Sequence, residues 1–258
     1  MNTLISISDL IHESWSFFRN DWKTITKRNA WLLPVMVVYF ALYIGGSAKG
    51  VLWLAGLGML ILLVGSIFVT LHATRYVLAK DGGTNQATKD KTLSSMFWPV
   101  LLICIISGLG AMGGMILFIL PGIWFAIATG FAICAYIEEG KTGTSSLGRS
   151  MELVKGRWWK TLWRIVIPSF VFQIVLGIIS LAALAVPVLF AAIGGAGAML
   201  SMTGQGSSAM GAASVPILIF AGLLFIAAIV VNFLLSLVAN GLAQVVQVKL
   251  YHSLKASR

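Results

Sequence analysis

IVIPSFVFQIVLGIISLAALAVPVLFAAIGGAGAMLSMTGQGSSAMGAASVPILIFAGLLFIAAIVVNFLLSLVANGLAQVVQV, residues 165–248, runs from Ile165 to Val248 without one Asp, Glu, Lys or Arg. A water-facing surface has no use for 84 uncharged residues in a row. Two membrane crossings and their connector do, since a hydrocarbon core of ~30 Å takes about 20 apolar residues at ~1.5 Å each. Ile165–Ile193 and Val215–Ala239 form the apolar lobes. Between them, Gly194-Gly195-Ala196-Gly197 and the run from Ser201 to Ser208 read as a flexible connector. Three spans would also fit this length, so the charges elsewhere must choose.

Working outward, the whole chain follows the same pattern. Hydrophobic residues make up 59% of its 258 positions and charged residues 10%, against about 25% charged in ordinary soluble domains. A first span is expected over Trp31–Gly46, with Pro34 in its first turn, where a missing N–H matters least. A tight Ser47-Ala48-Lys49-Gly50 turn leads to a second span, Val51–Thr74, and a polar loop follows from Lys80 to Ser94. The uncharged run Thr92–Ile137 suits two spans, Phe97–Ile119 and Gly122–Ile137, with Pro121-Gly122 read as the turn between them.

Six spans put 17 of the 18 basic residues on one side, and only Lys49 on the other. A seventh would carry Lys249, Lys255 and Arg258 across. The positive-inside bias therefore predicts six spans with both termini in the cytoplasm. Trp15, Trp22, Trp31, Trp98, Trp158, Trp159 and Trp163 fall near the proposed inner interface, and Trp53 and Trp124 near the outer one, where amphipathic rings are favoured. The formal charge of +10 belongs with anionic lipid headgroups and not with nucleic acid, since no basic stretch is long enough to be a nucleic-acid arm. No cleavable signal peptide is expected, because a charged, amphipathic stretch precedes the first apolar run.

Two segments precede spans without spanning. In Ser8–Lys27, Ile11, Trp15, Phe18, Trp22 and Ile25 recur at helical spacing; in Thr144–Arg164, Leu147, Met151, Val154, Trp158 and Leu162 do the same. Ser14 to Thr24 also lines up with Ser150 to Thr161 after one insertion, so the architecture reads as repeated units of surface helix plus hairpin, with a degenerate middle counterpart at Asn85–Ser95. The expected plan is all-α: six transmembrane helices as three hairpins, plus amphipathic interfacial helices, in one membrane domain. It places an amphipathic helix over 1–28, hairpins over 29–79, 95–137 and 165–248, a second amphipathic helix over 144–164, and a cytoplasmic tail over 249–258.

Pro121-Gly122-Ile123-Trp124, Glu139-Gly140 and the run Leu147-Gly148-Arg149-Ser150-Met151-Glu152-Leu153-Val154-Lys155-Gly156-Arg157-Trp158-Trp159 resemble a motif of small bacterial multi-span proteins. These are the membrane domain sometimes fused to glycerophosphodiester phosphodiesterases and related six-span inner-membrane families. The resemblance covers about 40 residues, with looser similarity in helix order elsewhere. No phosphodiesterase catalytic domain is expected in this sequence, so the resemblance implies an auxiliary membrane protein and not an enzyme.

Candidate functional residues are polar groups within apolar runs. Asn232, Ser236, Asn240 and Gln244 recur every four residues on the last span and continue to Gln247, with Gln173 on the fifth span as a possible partner. That face reads either as interhelical hydrogen bonding or as a polar path for a solute or lipid headgroup. Gly110 and Gly114, and Gly122, Ala126, Gly130 and Cys134, read as packing faces. Arg19, Trp22, Arg149, Lys155, Arg157, Trp158 and Trp159 are the expected interfacial lipid contacts. Glu138 and Glu139 read as a surface charge pair with Lys141. His12, His72 and His252 lack metal-ligand spacing, and no serine has a paired base. No catalytic residue, cofactor or metal is expected. The expected partners are anionic lipid headgroups and other membrane proteins or a second copy of the chain.

Overall fold

The computed structural model describes residues 4–48, 50–82, 88, 90–204 and 208–257. Lys49, Lys89 and Arg258 of the charge pattern, Asn85 of the middle counterpart and Gln205 of the connector lie outside the described residues. Helix is the only regular structure among those described, and six helical stretches are long and apolar enough to cross a membrane. The chain is an all-α, multi-pass membrane protein.

Helix α1, Ile7–Asn29, begins where the Ser6 hydroxyl accepts the Asp9 N–H at 3.1 Å, a capping arrangement that satisfies one otherwise unpaired donor. Its buried residues are Leu10, Ser14, Phe18, Ile25 and Asn29. The expected stripe is therefore corrected by part of a turn: Phe18 and Ile25 are buried, whereas Trp15 and Trp22 are exposed at 48% and 49%. Asp21 leaves helical geometry (φ −122°, ψ 15°), and its carboxylate pairs with Lys80.

α2 (Leu32–Ala48) and α3 (Leu52–Lys80) form the first hairpin. A Cβ on Gly65 would stand 2.6 Å from Val35 Cγ1, so the two helices touch where α3 has no side chain. The second hairpin pairs α4 (Leu93–Leu117) with α5 (Ile119–Thr129), continued by α6 (Ala132–Glu139). Here the structure corrects the sequence reading. The chain turns at Phe118 (φ −160°, ψ 146°), and Pro121 sits inside the first turn of α5. A proline there gives up an N–H that has no intrahelical partner anyway. Gly122 is instead a contact: its Cβ would lie 2.7 Å from Met115 N and 2.8 Å from Ala111 O, and one on Gly114 would lie 2.8 Å from Gly122 Cα. Gly110 faces the Phe125 ring in the same way.

The second amphipathic segment is not one helix. α7 covers only Thr144–Val154, and α8 (Trp158–Met202) starts after Gly156, whose φ of +77° suits a residue without Cβ. Trp158 and Trp159 therefore head a spanning helix. The Gly194–Gly197 segment is helical as well, because in hydrocarbon a backbone that leaves the helix strands its own polar groups. α9 (Ser208–Ala256) carries the expected tail as continuous helix.

The chain divides into two compact units, Met1–Ser169 with Asn240–Arg258, and Phe170–Ala239. The first has a core in which Leu10 of α1, Leu78 of α3, Met96 of α4, Phe131, Leu153 of α7 and Tyr251 of α9 are fully buried. α9 meets α1 at Gly241, where a Cβ would stand 2.8 Å from both Phe18 and Ile25 side chains. In the second unit, Gly194 admits Ile217 and Leu218 at 3.0 Å from its Cβ position, and Phe190 meets Phe220 edge-on with centroids 5.3 Å apart. Leu181, Leu189, Leu223 and Ile226 are exposed around it. Such a continuous apolar surface is one that lipid covers.

Candidate functional site

The first unit brings the charged ends of several helices together. Asp81 closes α3, Glu138 and Glu139 close α6, and the last turns of α9 carry Lys249, Tyr251, His252 and Lys255. His252 Nδ1 lies 2.9 Å from Asp81 Oδ2, and its Nε2 lies 3.0 Å from Glu138 Oε2. Both contacts are hydrogen bonds only when the ring carries two protons, because ionised carboxylates solely accept. Lys255 donates to Glu138 at 2.6 Å and Lys249 to Asp81 at 3.0 Å. Glu139 accepts from Arg149 at 2.9 Å and from the Tyr251 hydroxyl at 2.9 Å.

This overturns the reading of Glu138 and Glu139 as a surface pair with Lys141. Glu138 is 6% exposed and turned toward α9, and Lys141 reaches only Glu139, at 3.9 Å. A buried carboxylate persists only where cations and donors replace its water, and His252 and Lys255 supply them. Burial opposes ionisation of Asp81, yet the hydrogen bonds from His252 and Lys249 outweigh it and hold the carboxyl below its ordinary 3.8. The cluster works as an ionic clasp between α3, α6 and α9. Among the described residues, no group of His, Cys, Asp or Glu is placed to hold a metal ion.

A second polar arrangement serves the break between α5 and α6. The Phe131 N–H donates to Ser150 Oγ at 3.1 Å, and that hydroxyl donates onward to Ala128 O at 2.6 Å. Gln247 of α9 donates to Gly130 O, and Thr88 donates to Ile137 O at 2.8 Å near the end of α6. Backbone groups freed inside an apolar environment must find partners, and α7 and α9 provide them here.

The predicted polar face divides along its length. Asn232 donates to Ala228 O at 2.9 Å and Ser236 to Phe233 O at 2.7 Å, both within their own helix. Gln173 and Asn240 are exposed. Gln244 reaches across to Asn29 Oδ1 of α1 at 3.4 Å, and Gln247 reaches Gly130, so the lower part of the face links helices. The predicted lipid contacts divide too. Arg19, Trp22, Lys155 and Trp159 are exposed. Arg149 is taken by Glu139 and Glu152, and Arg157 donates to Ser257 O at 3.1 Å. Trp158 is half-buried and meets Trp159 edge-on, with centroids 4.6 Å apart.

Sequence reasoning missed the clasp. Its signal was available in the topology: Asp81, Glu138 and His252 each follow an apolar run, and the six-span arrangement brings those three ends to one side. No protein-family model matches the chain, and neither a curated protein nor a solved structure is similar to it.

Proposed function

We propose that this chain is a non-enzymatic, multi-pass protein of the bacterial inner membrane that organises anionic lipid and membrane partners through basic, Trp-bearing interfacial segments, with both termini in the cytoplasm. One observation carries the reading. Trp22 stands at the exposed margin of the buried stripe of α1, and Trp159 at the start of α8 is 62% exposed, each beside exposed cations, Arg19 and Lys23 in one case and Lys155 and Lys160 in the other. Amphipathic rings flanked by Lys and Arg favour the headgroup level of an anionic leaflet.

We also propose that the two segments are an internal repeat. Ser14 and its aligned Ser150 are both fully buried, as are Phe18 and Val154 nearly so, and the α1 distortion at Asp21 aligns with the α7 break at Gly156–Arg157. The resemblance to the membrane domain fused to glycerophosphodiester phosphodiesterases fits an auxiliary role of this kind. A polar path along the last span has weaker support, because Asn232 and Ser236 turn back on their own helix while Gln244 and Gln247 reach neighbouring ones.

The test is lipid enrichment. The full chain and an Arg19→Gln/Trp22→Ala/Lys155→Gln/Trp159→Ala variant are reconstituted in mixed phosphatidylglycerol and phosphatidylcholine vesicles, and the lipid retained on extraction is quantified. The reading expects phosphatidylglycerol enrichment in the parent and a marked drop in the variant. Equal enrichment in a variant that still folds would remove the basis for it.

A further inference from the structure

Two concavities of the first unit share Arg28, Trp31 and His72. The larger, about 630 Å³, is walled by Val35 of α2 and by Val64, Gly65, Phe68 and Val69 of α3. The smaller, about 390 Å³, opens beside Lys23, Thr24 and Lys27 near the end of α1. Val64 lies two turns along α3 from His72, about 12 Å at 1.5 Å per residue. The result is a groove with a cationic mouth and an apolar wall, of the size that binding sites for small molecules usually have.

The mouth has more positive charge than the protein neutralises. Arg28 Nη1 lies 2.7 Å from His72 Nε2, its guanidinium stacks 4.4 Å from the Tyr76 ring centroid, and its Nε is buried without a hydrogen-bond partner. The ion pairs among the described residues use none of Lys23, Lys27 or Arg28. Among the described residues, no carboxylate lines either concavity. Three cations together repel one another and attract an anion, and guanidinium suits phosphate oxygens. Trp31, largely exposed at the junction, has the character of a residue at the headgroup boundary.

We propose that this groove holds one anionic phospholipid, its phosphate against Lys27 and Arg28 and an acyl chain along Val64 and Phe68. The inference rests on the lipid-organising reading and adds to it a defined site and ligand class. A soluble phosphate would leave the apolar wall uncovered. A zwitterionic lipid would bring its own cation to a mouth that already has three.

The full chain is reconstituted in phosphatidylcholine vesicles doped with phosphatidylglycerol that carries a mid-chain diazirine, irradiated, and mapped by mass spectrometry. Adducts are expected on α3 around Val64–Phe68. Arg28→Gln should lower them about fivefold and Lys27→Gln/Arg28→Gln about twenty-five-fold, at the factor one basic residue near an anionic surface typically carries. Val64→Trp, which fills the groove and leaves the cations in place, should lower them as well. Phosphatidylcholine with the same diazirine should label α3 weakly. Equal labelling by the two lipids, indifference to the double variant, or adducts confined to other surfaces would each overturn the proposal. So would competition by glycerol 1-phosphate alone, which would make the mouth a soluble-anion site. All these variants keep Arg19, Trp22, Lys155 and Trp159, so a failure of the groove is read separately from a failure of the interfacial belt.

Discussion

Gly122→Ala adds one methyl group where the second hairpin brings α5 against the backbone of α4. The new Cβ would stand 2.7 Å from Met115 N and 2.8 Å from Ala111 O, both main-chain atoms of α4 that no rotamer change can move. The helices must separate. Alanine also favours helix over glycine by up to about 1 kcal/mol in water, which obscures the steric effect in a single variant. Gly108→Ala on α4 supplies the control, because nothing lies within 4 Å of its Cβ position. The propensity gain is common to both variants, so their difference isolates the overpacking, about 1–3 kcal/mol and toward the upper end where backbone is struck. Steric-trapping or denaturant titration in bicelles measures that difference. If Gly122→Ala proves as stable as Gly108→Ala, the α4–α5 register with its turn at Phe118 is wrong.

Three further outcomes follow from the polar groups. Glu138→Gln should destabilise the fold by about 1.5–3 kcal/mol, as loss of a hydrogen-bonded charge does, whereas Lys141→Ala should stay within about 0.5 kcal/mol; the reverse order in the same titration would restore the surface-pair reading. Asp81 has a folded pKa below 3.8, so its stabilising contribution is present above that value and is lost as the pH falls through the lower folded pKa. Thermal melts in detergent should show this acid-side decline in the parent and a weaker one in Asp81→Asn, and parallel curves would count against the clasp. Ser150→Ala removes the acceptor of the Phe131 N–H and the donor to Ala128 O, with an expected loss of about 1–3 kcal/mol. Amide exchange should quicken at Phe131 before neighbouring positions, and unchanged exchange there would refute the role given to Ser150.

The spans were legible because lipid imposes a coarse requirement, about 20 apolar residues between charged ends, and Arg164 to Lys249 meets it openly. Their breaks were harder to read. Pro121-Gly122 has the composition of a turn, but composition does not distinguish a proline between helices from one in a first helical turn, and Gly122 serves α4 by its lack of a Cβ. Gly194–Gly197 misled for a related reason: glycine density marks flexibility in water, whereas in hydrocarbon it marks close helix contact. The buried stripe of α1 runs through Leu10, Ser14, Phe18, Ile25 and Asn29, and Ile11, Trp15 and Trp22 fit helical spacing as well, so periodicity alone did not separate the buried face from its exposed margin. The clasp of Asp81, Glu138 and His252 depends on residues more than 50 positions apart. Sequence proximity pointed to Lys141, and only the tertiary arrangement shows Glu138 facing α9. The groove at Arg28 was hidden likewise, since its wall and mouth come from different helices.

The arrangement of the spans is tested most directly by placing single cysteines at Thr203 and at Lys155, in a chain whose Cys104 and Cys134 are replaced by Ala. Intact cells are treated with a membrane-impermeant maleimide before and after permeabilisation. With six spans and a cytoplasmic basic face, the Thr203→Cys chain reacts in intact cells and the Lys155→Cys chain reacts only once the membrane is opened. Reaction of Lys155→Cys in intact cells, or protection of Thr203→Cys until lysis, would contradict the topology on which the interfacial and lipid-binding roles are built.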